Sequence, residues 1–251
     1  MKIIVCVKAV SGQLTEPNLS DTASLTLNPY DSFILNKLSQ KVTSHDSVTC
    51  LCMGPPRART VLERCLAMGA HYAVLLSDSR FSGSDTFATS AVLSAAIKRL
   101  TYDIVICGHE AVDGETGQVP YEIAARLGIS CEGNVLDFQI EGDSLVIECQ
   151  DQDTIKIYET VPPVVISCLE LSLQSNVSLL QLKRASKQAI PVWNADDLSL
   201  SKTMCGQSGS RTRVIRSTPS SPSLLKAPIF YEEASDEAVE FLWEQCMAHK
   251  N

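Results

Sequence analysis

Several shortages in the sequence each close a class of function. No apolar run among the 251 residues approaches the ~20 that a helix needs to span a bilayer, so no membrane span is expected. Positive charge is scarce: 21 Lys and Arg against 29 Asp and Glu leave a formal charge of −8, and nothing supplies a basic footprint for nucleic acid. Histidine occurs four times, widely scattered, and only His109 falls in a candidate site loop, so a histidine-based catalytic centre is not expected. None of the ten cysteines forms a CxxC pair. That argues against a metal site and for reduced, mostly buried thiols in a cytoplasmic protein.

Familiar phosphate and acyl-transfer motifs are missing too. After the first apolar run stands "KAVSGQ" rather than GxGxxG, so the usual dinucleotide fingerprint is absent. No GxxxxGK[ST] loop, SGGxDS-type pyrophosphatase loop or GxSxG elbow occurs. P-loop hydrolysis, ATP activation and serine-hydrolase chemistry therefore lose their usual carriers.

What is present is a regular alternation of strand-like and helix-like segments. Apolar runs predict strands over 2–10, 47–54, 72–78 and 102–108. Helical spacing predicts helices over 31–42, 55–70, 84–100 with Ser84 as N-cap, and 116–128 stopped by Gly128. The order implies parallel βαβ units, and strands apolar on both faces require helices on both faces. The fold class is thus α/β, a doubly wound, mostly parallel sheet. Runs within 134–170 imply an antiparallel excursion before a return to the sheet. The main domain is expected to span 1–198, including a polar, locally basic loop at about 172–190. Residues 199–251 read as an extended C-terminal arm that packs on a partner and ends in an acidic amphipathic helix over 232–250.

Ligands of open parallel sheets bind beyond the C-terminal strand ends. That rule gathers Ala9, Cys52, Asp78 and the stretch from Gly108 onward. The loop "GHEAVDGETGQ" (108–118) precedes one helix start, and Asp85 and Thr86 open another. Both starts offer unpaired N–H groups and a positive dipole end, and the Thr86 and Thr116 hydroxyls and the Gly117 N–H suit phosphate oxygens. Two helix caps joined by a polar loop would look the same. Asp113 and Glu115 form a carboxylate pair, but an exposed loop gives no reason for a raised pKa, so general acid–base catalysis is not expected.

The stretches "KIIVCVKAV", "LNPYDSFIL" (27–35), "CMGPPRARTVLERCLAMGAHYAVLLSD" (52–78), "GSDTFATSAVLSAAIK" (83–98) and "DIVICGHEAVDGETGQVPYEIAARLG" (103–128), with "VPPVVISCLEL" and "VWNADDL", resemble the β subunit of electron transfer flavoproteins, a group that includes bacterial Fix-type proteins. The resemblance covers residues 1 to about 198. It implies an adenine nucleotide α-hydrolase-like fold and a heterodimer whose α subunit holds most of a redox-active FAD. It also implies a buried nucleotide in the β subunit, either AMP or a second FAD. Carried over residue by residue, the nucleotide site comprises Ala9, Asn28, Pro29, Tyr30, Asp31, Cys52, Asp85, Thr86, Gly108, Val112, Asp113, Gly114, Glu115, Thr116, Gly117 and Gln118. Asn28 and the backbone near Ala9 and Cys52 are expected to read the adenine. The resemblance also implies a protruding loop that anchors a partner flavin dehydrogenase, with Leu179 as anchor and Arg184 and Lys187 among its cations. "SLQS" (172–175), Leu180 and Cys149 depart from the family's usual residues and leave the partner dehydrogenase open. A nucleotide-binding regulatory module without redox function is the alternative reading.

Overall fold

Lys2–Val7 (β1) is buried at five consecutive positions, which is possible only in the middle of a sheet covered on both sides. The structure, a computed structural model, describes residues 1–11, 24–172 and 177–216 and the single positions 239 and 243. After β1 come Ala9–Ser11 (β2), Leu25–Leu27 (β3), Pro29–Lys41 (α1), Ser47–Met53 (β4), Arg59–Ala67 (α2), Tyr72–Leu76 (β5), Thr86–Ile97 (α3), Ile104–Gly108 (β6) and Val119–Leu127 (α4). Then follow Ser130–Glu141 (β7), Ser144–Asp151 (β8), Thr154–Thr160 (β9), Val164–Cys168 (β10), Leu179–Ala185 (α5), Val192–Trp193 (β11) and the single turn Gly206–Gly209 (α6).

Nine strands form one sheet in the order β11-β5-β4-β1-β6-β10-β7-β8-β9. It is parallel from β11 to β7 and antiparallel through β8 and β9. This is the expected doubly wound sheet with its antiparallel excursion. One face buries Ile3, Val5, Ile106 and Ile166 with Ile34 and Leu35 of α1 and Leu62 of α2. The other buries Ile4, Leu51, Val105 and Val165 with Val92 and Ile97 of α3 and Ile123 of α4. Each such side chain contributes roughly 1.5–3 kcal/mol by leaving water. Strand order reverses at β1, whose neighbours are β4 and β6, and that topological switch opens a crevice above their C-terminal ends.

Three local expectations change. The strand expected over 2–10 breaks at Lys8, because the main chain there is claimed by the start of α1. The Lys8 N–H donates to Asp31 Oδ2 at 2.7 Å and its carbonyl accepts from the Asn28 N–H at 3.0 Å; β2 then pairs with β3 in a separate two-stranded sheet. The N-cap of α3 is Asp85, not Ser84: the Asp85 side chain accepts from the Ala88 N–H, while Ser84 Oγ donates to the Phe81 carbonyl. Helix α4 begins at Val119 rather than 116, since Glu115 and Gly117 have φ of +48° and +62°, outside the helical region. It ends as expected at Gly128, left-handed with φ +72°.

The chain divides into two compact units, Met1–Arg213 and Val214–Asn251. The first runs past the boundary expected at 198: Ser84 Oγ accepts from the Gly206 N–H and Ser210 Oγ accepts from the Asp85 N–H. A Cβ at Gly206 would lie 2.0 Å from the Arg80 carbonyl oxygen, so this crossing admits only glycine. In the second unit Val239 and Trp243 are helical and exposed; the rest of the helix expected over 232–250 lies outside the described residues. Among the described residues no helix is long and apolar enough to cross a membrane.

Candidate functional site

The crevice encloses about 650 Å³, within the range of small-molecule sites. Its inner end is built around Asp31, at the third position of α1 and 2% exposed. The carboxylate accepts from the main-chain N–H groups of Lys8 and Gly108 and from the Asn28 amide. Burial nevertheless dominates and pushes its pKa up to about 7. Three segments are tied at this point: the end of β1, the end of β6 and the start of α1. Gly108 is required there because a Cβ would stand 2.6 Å from Tyr30 Cβ and 2.9 Å from Asp31 Oδ1.

The loop after β6 is shaped by the same residues. Asn28 Nδ2 donates to the Glu110 carbonyl at 2.9 Å and Asn28 Oδ1 accepts from the Val112 N–H at 3.3 Å. Tyr30 Oη donates to Glu110 Oε1 at 3.1 Å. Asn28 and Tyr30 therefore hold the loop, and the Asn28 amide, expected to read a base, is already committed to protein. Asp113 pairs with Lys8 Nζ at 2.6 Å, with both side chains more than two-fifths exposed; such a pair contributes ~0–1 kcal/mol. Gly114 and Gly117 line the crevice with Glu115, Thr116 and Gln118.

Helices α3 and α4 direct their N-termini at this space. Thr86 Oγ1 lies 2.9 Å from Gln118 Oε1 and 3.2 Å from Glu122 Oε1 and donates to that pair, linking the two helix starts. Asp85 does two jobs: Oδ1 caps α3, and Oδ2 accepts from the N–H groups of Arg211 and Thr212 at 2.6 and 2.8 Å and from the Thr212 hydroxyl at 3.0 Å. These bonds lower its pKa despite the opposing effect of burial. Segment 205–212 is thereby strapped over the first turn of α3, and Thr212 reaches the crevice wall. The Phe87 ring meets the guanidinium groups of both Arg126 and Arg211, whose carbons lie 4.2 and 4.8 Å from its centroid.

The remaining expected residues lie elsewhere. Cys52 is fully buried, its thiol pushed up to about 12 chiefly by burial, and it accepts a hydrogen bond from the Ala9 N–H. Pro29 and Val112 line a second cavity of about 420 Å³ bounded by the β2–β3 hairpin. Leu179 opens α5 after a capping box of Ser178 and Gln181 and is 85% exposed. Leu180, Arg184 and Lys187 are exposed beside it, while Ala185 is buried and Leu182 packs against the core.

Lys8 and Thr212 line the crevice and, with Glu122 beside it in the first turn of α4, were not expected as site residues; His109 was expected in the loop but without a role there. Nδ1 of His109 is buried without a hydrogen-bond partner, as is Glu122 Oε2. Lys8 had a signal, a lone cation inside an apolar run. Glu122 had one as well, an acid in the first turn of α4, where the positive end of the helix dipole favours it. Thr212 had none, because its place depends on a contact across 127 positions.

Comparison with known proteins places these features in a family. The model of the electron transfer flavoprotein domain matches residues 19–198. The chain is 35% identical over 236 residues to the electron transfer flavoprotein subunit beta of Clostridium acetobutylicum, covering 87% of this chain and 88% of that one. It is 36% identical to the caffeyl-CoA reductase-Etf complex subunit CarD of Acetobacterium woodii, over 86% and 87% of the two chains. With protein FixA of Azorhizobium caulinodans it shares 32% identity over 95% and 92%.

Proposed function

The chain belongs to the electron transfer flavoprotein family, as a member of the β-subunit type, and from that premise we propose that it holds an adenine nucleotide in the crevice. In this reading it works as one half of a heterodimer whose α-type subunit carries most of a FAD. The observation that carries the nucleotide is the convergence of the starts of α3 and α4 on a crevice at the topological switch. A phosphate fits this donor set: the Thr86 and Phe87 N–H groups of α3 and the Val119 N–H of α4 have no partner inside their helices, and the helix dipoles favour an anion. Lys8 is the lysine on the crevice wall and it is paired with Asp113, so main-chain donors hold the anion. The nucleotide is AMP or a second FAD.

A bound flavin supplies the electron chemistry. This chain's residues do the rest. Asn28, Tyr30 and Asp31 fix the loop 108–118, Gly108 lets the segments approach, and Asp85 ties the strap to α3. The exposed Leu179, flanked by Arg184 and Lys187, is the anchor for a dehydrogenase partner. The Acetobacterium woodii relative, named as a subunit of a reductase–Etf complex, supports such an assembly. Isolation of the native chain tests the pairing: it should come with a second subunit and a flavin absorption spectrum. Isolation as a colourless single chain would sink this reading and favour a non-redox nucleotide-binding module.

A further inference from the structure

Two thiols at the floor of the crevice take no part in anything described above. Cys6 and Cys107 are direct neighbours in the parallel register of β1 and β6, each the penultimate residue of its strand. Both point to the face covered by α3 and α4, and both line the crevice with 8% and 4% of their surface exposed. The thiols are hydrogen-bonded to one another, which with burial holds Cys107 well above the usual thiol pKa. Beside Cys107 on the next strand lies Ser167, whose buried Oγ has no hydrogen-bond partner. The row Cys6–Cys107–Ser167 thus presents two sulfurs and an unclaimed hydroxyl across three adjacent strands.

Cys50 and Cys65 are also hydrogen-bonded to each other, but they lie on the other side of the sheet and are 0% exposed. Only the Cys6–Cys107 pair, of these two, meets solvent. Neighbouring strands lie ~4.8 Å apart with parallel side chains, whereas a disulfide needs Cβ atoms about 3.5–4.5 Å apart. A direct S–S bond would pull the strands together, while an atom inserted between the sulfurs would not. The raised pKa of the Cys107 thiol also slows reagents that require its thiolate, leaving an advantage to reagents that bind two thiols at once.

We propose that Cys6 and Cys107 form a two-thiol site, open to the crevice, for soft thiophilic centres of the trivalent arsenical class. With an aryl arsenoxide the step is a condensation: two As–S bonds form, the As–O bond breaks, and both thiol protons leave with the oxygen as water. Neither arsenic nor sulfur changes oxidation state. The probe is phenylarsine oxide, applied in buffer free of added thiols to the native full chain with its accompanying subunit, both as isolated and after release of any nucleotide held in the crevice. The expected adduct is read on the nucleotide-free protein. Intact-mass measurement and peptide mapping should find one arsenical on this chain, bridging Cys6 and Cys107. The adduct should be lost in Cys6→Ala and in Cys107→Ala and kept in Cys65→Ala. Mapping of the unaltered protein stands even if a variant fails to fold. An arsenical on another cysteine pair, or none until the protein is denatured, would overturn the proposal.

Discussion

The buried Asp31 carboxylate accepts a 2.7 Å hydrogen bond from the main-chain N–H of Lys8, so one side chain ends β1 and begins the site. Its pKa, raised to about 7 from an ordinary 3.8 mainly by burial, has a definite consequence for stability. Below pH 4 the carboxyl is protonated in both states. Between about 4 and 7 the unfolded chain ionises while the folded one keeps its proton. The folded state then binds more protons and stability falls as pH rises, the loss being complete above 7. Asp31→Asn should abolish that component of the slope. It should also cost ~1–3 kcal/mol at the acid end, because an amide presents one acceptor where two main-chain donors converge. Urea midpoints of both proteins between about pH 5 and 8 check this; equal slopes would contradict it.

Gly108→Ala should destabilise by ~1–3 kcal/mol, since its Cβ would press on Tyr30 Cβ and on Asp31, both held by α1. Gly114→Ala is the control. Its nearest neighbour would be Lys8 Nζ at 3.8 Å, and a change within ~0.5 kcal/mol is expected. Thermal unfolding of the two variants separates a packing requirement from general intolerance of the loop.

Asp85→Ala removes a helix cap and the three bonds that hold Arg211 and Thr212. The cap alone is worth ~0.5–2 kcal/mol. The strap should become cleavable by protease near 205–216 under conditions where the rest of the first unit resists. Cleavage unchanged from the parent would show that the strap is held by other contacts.

Leu179→Ala should leave thermal stability within ~0.5 kcal/mol of the parent, as expected for an 85% exposed side chain. Electron transfer from the partner dehydrogenase should slow, with bound flavin retained. An unchanged rate would remove Leu179 as the anchor.

The alternation of apolar and helical runs disclosed the sheet and its covering helices because both periodicities follow from burial alone. Gly128 was legible as a helix stop for the same kind of local reason. The break at Lys8 was not, because one lysine inside "KIIVCVKAV" does not by itself end a strand; the break comes from Asp31, 23 positions away. The choice of Asp85 over Ser84 as cap turned on one residue of register between two good capping types. Asn28 illustrates the limit at the site itself. Its place beside the crevice loop was expected, but its amide is spent on Glu110 and Val112, and side-chain partners across 82 and 84 positions are set by tertiary packing.

The crevice above β1 and β6 is proposed to hold an adenine nucleotide. Mass spectrometry of the small molecules released on denaturing the native complex tests it directly, with the amount counted against protein. One AMP per complex beside a single FAD, or two FAD, is the predicted result, and the choice between them identifies the nucleotide. Release of a single FAD and no second adenine nucleotide would contradict the account.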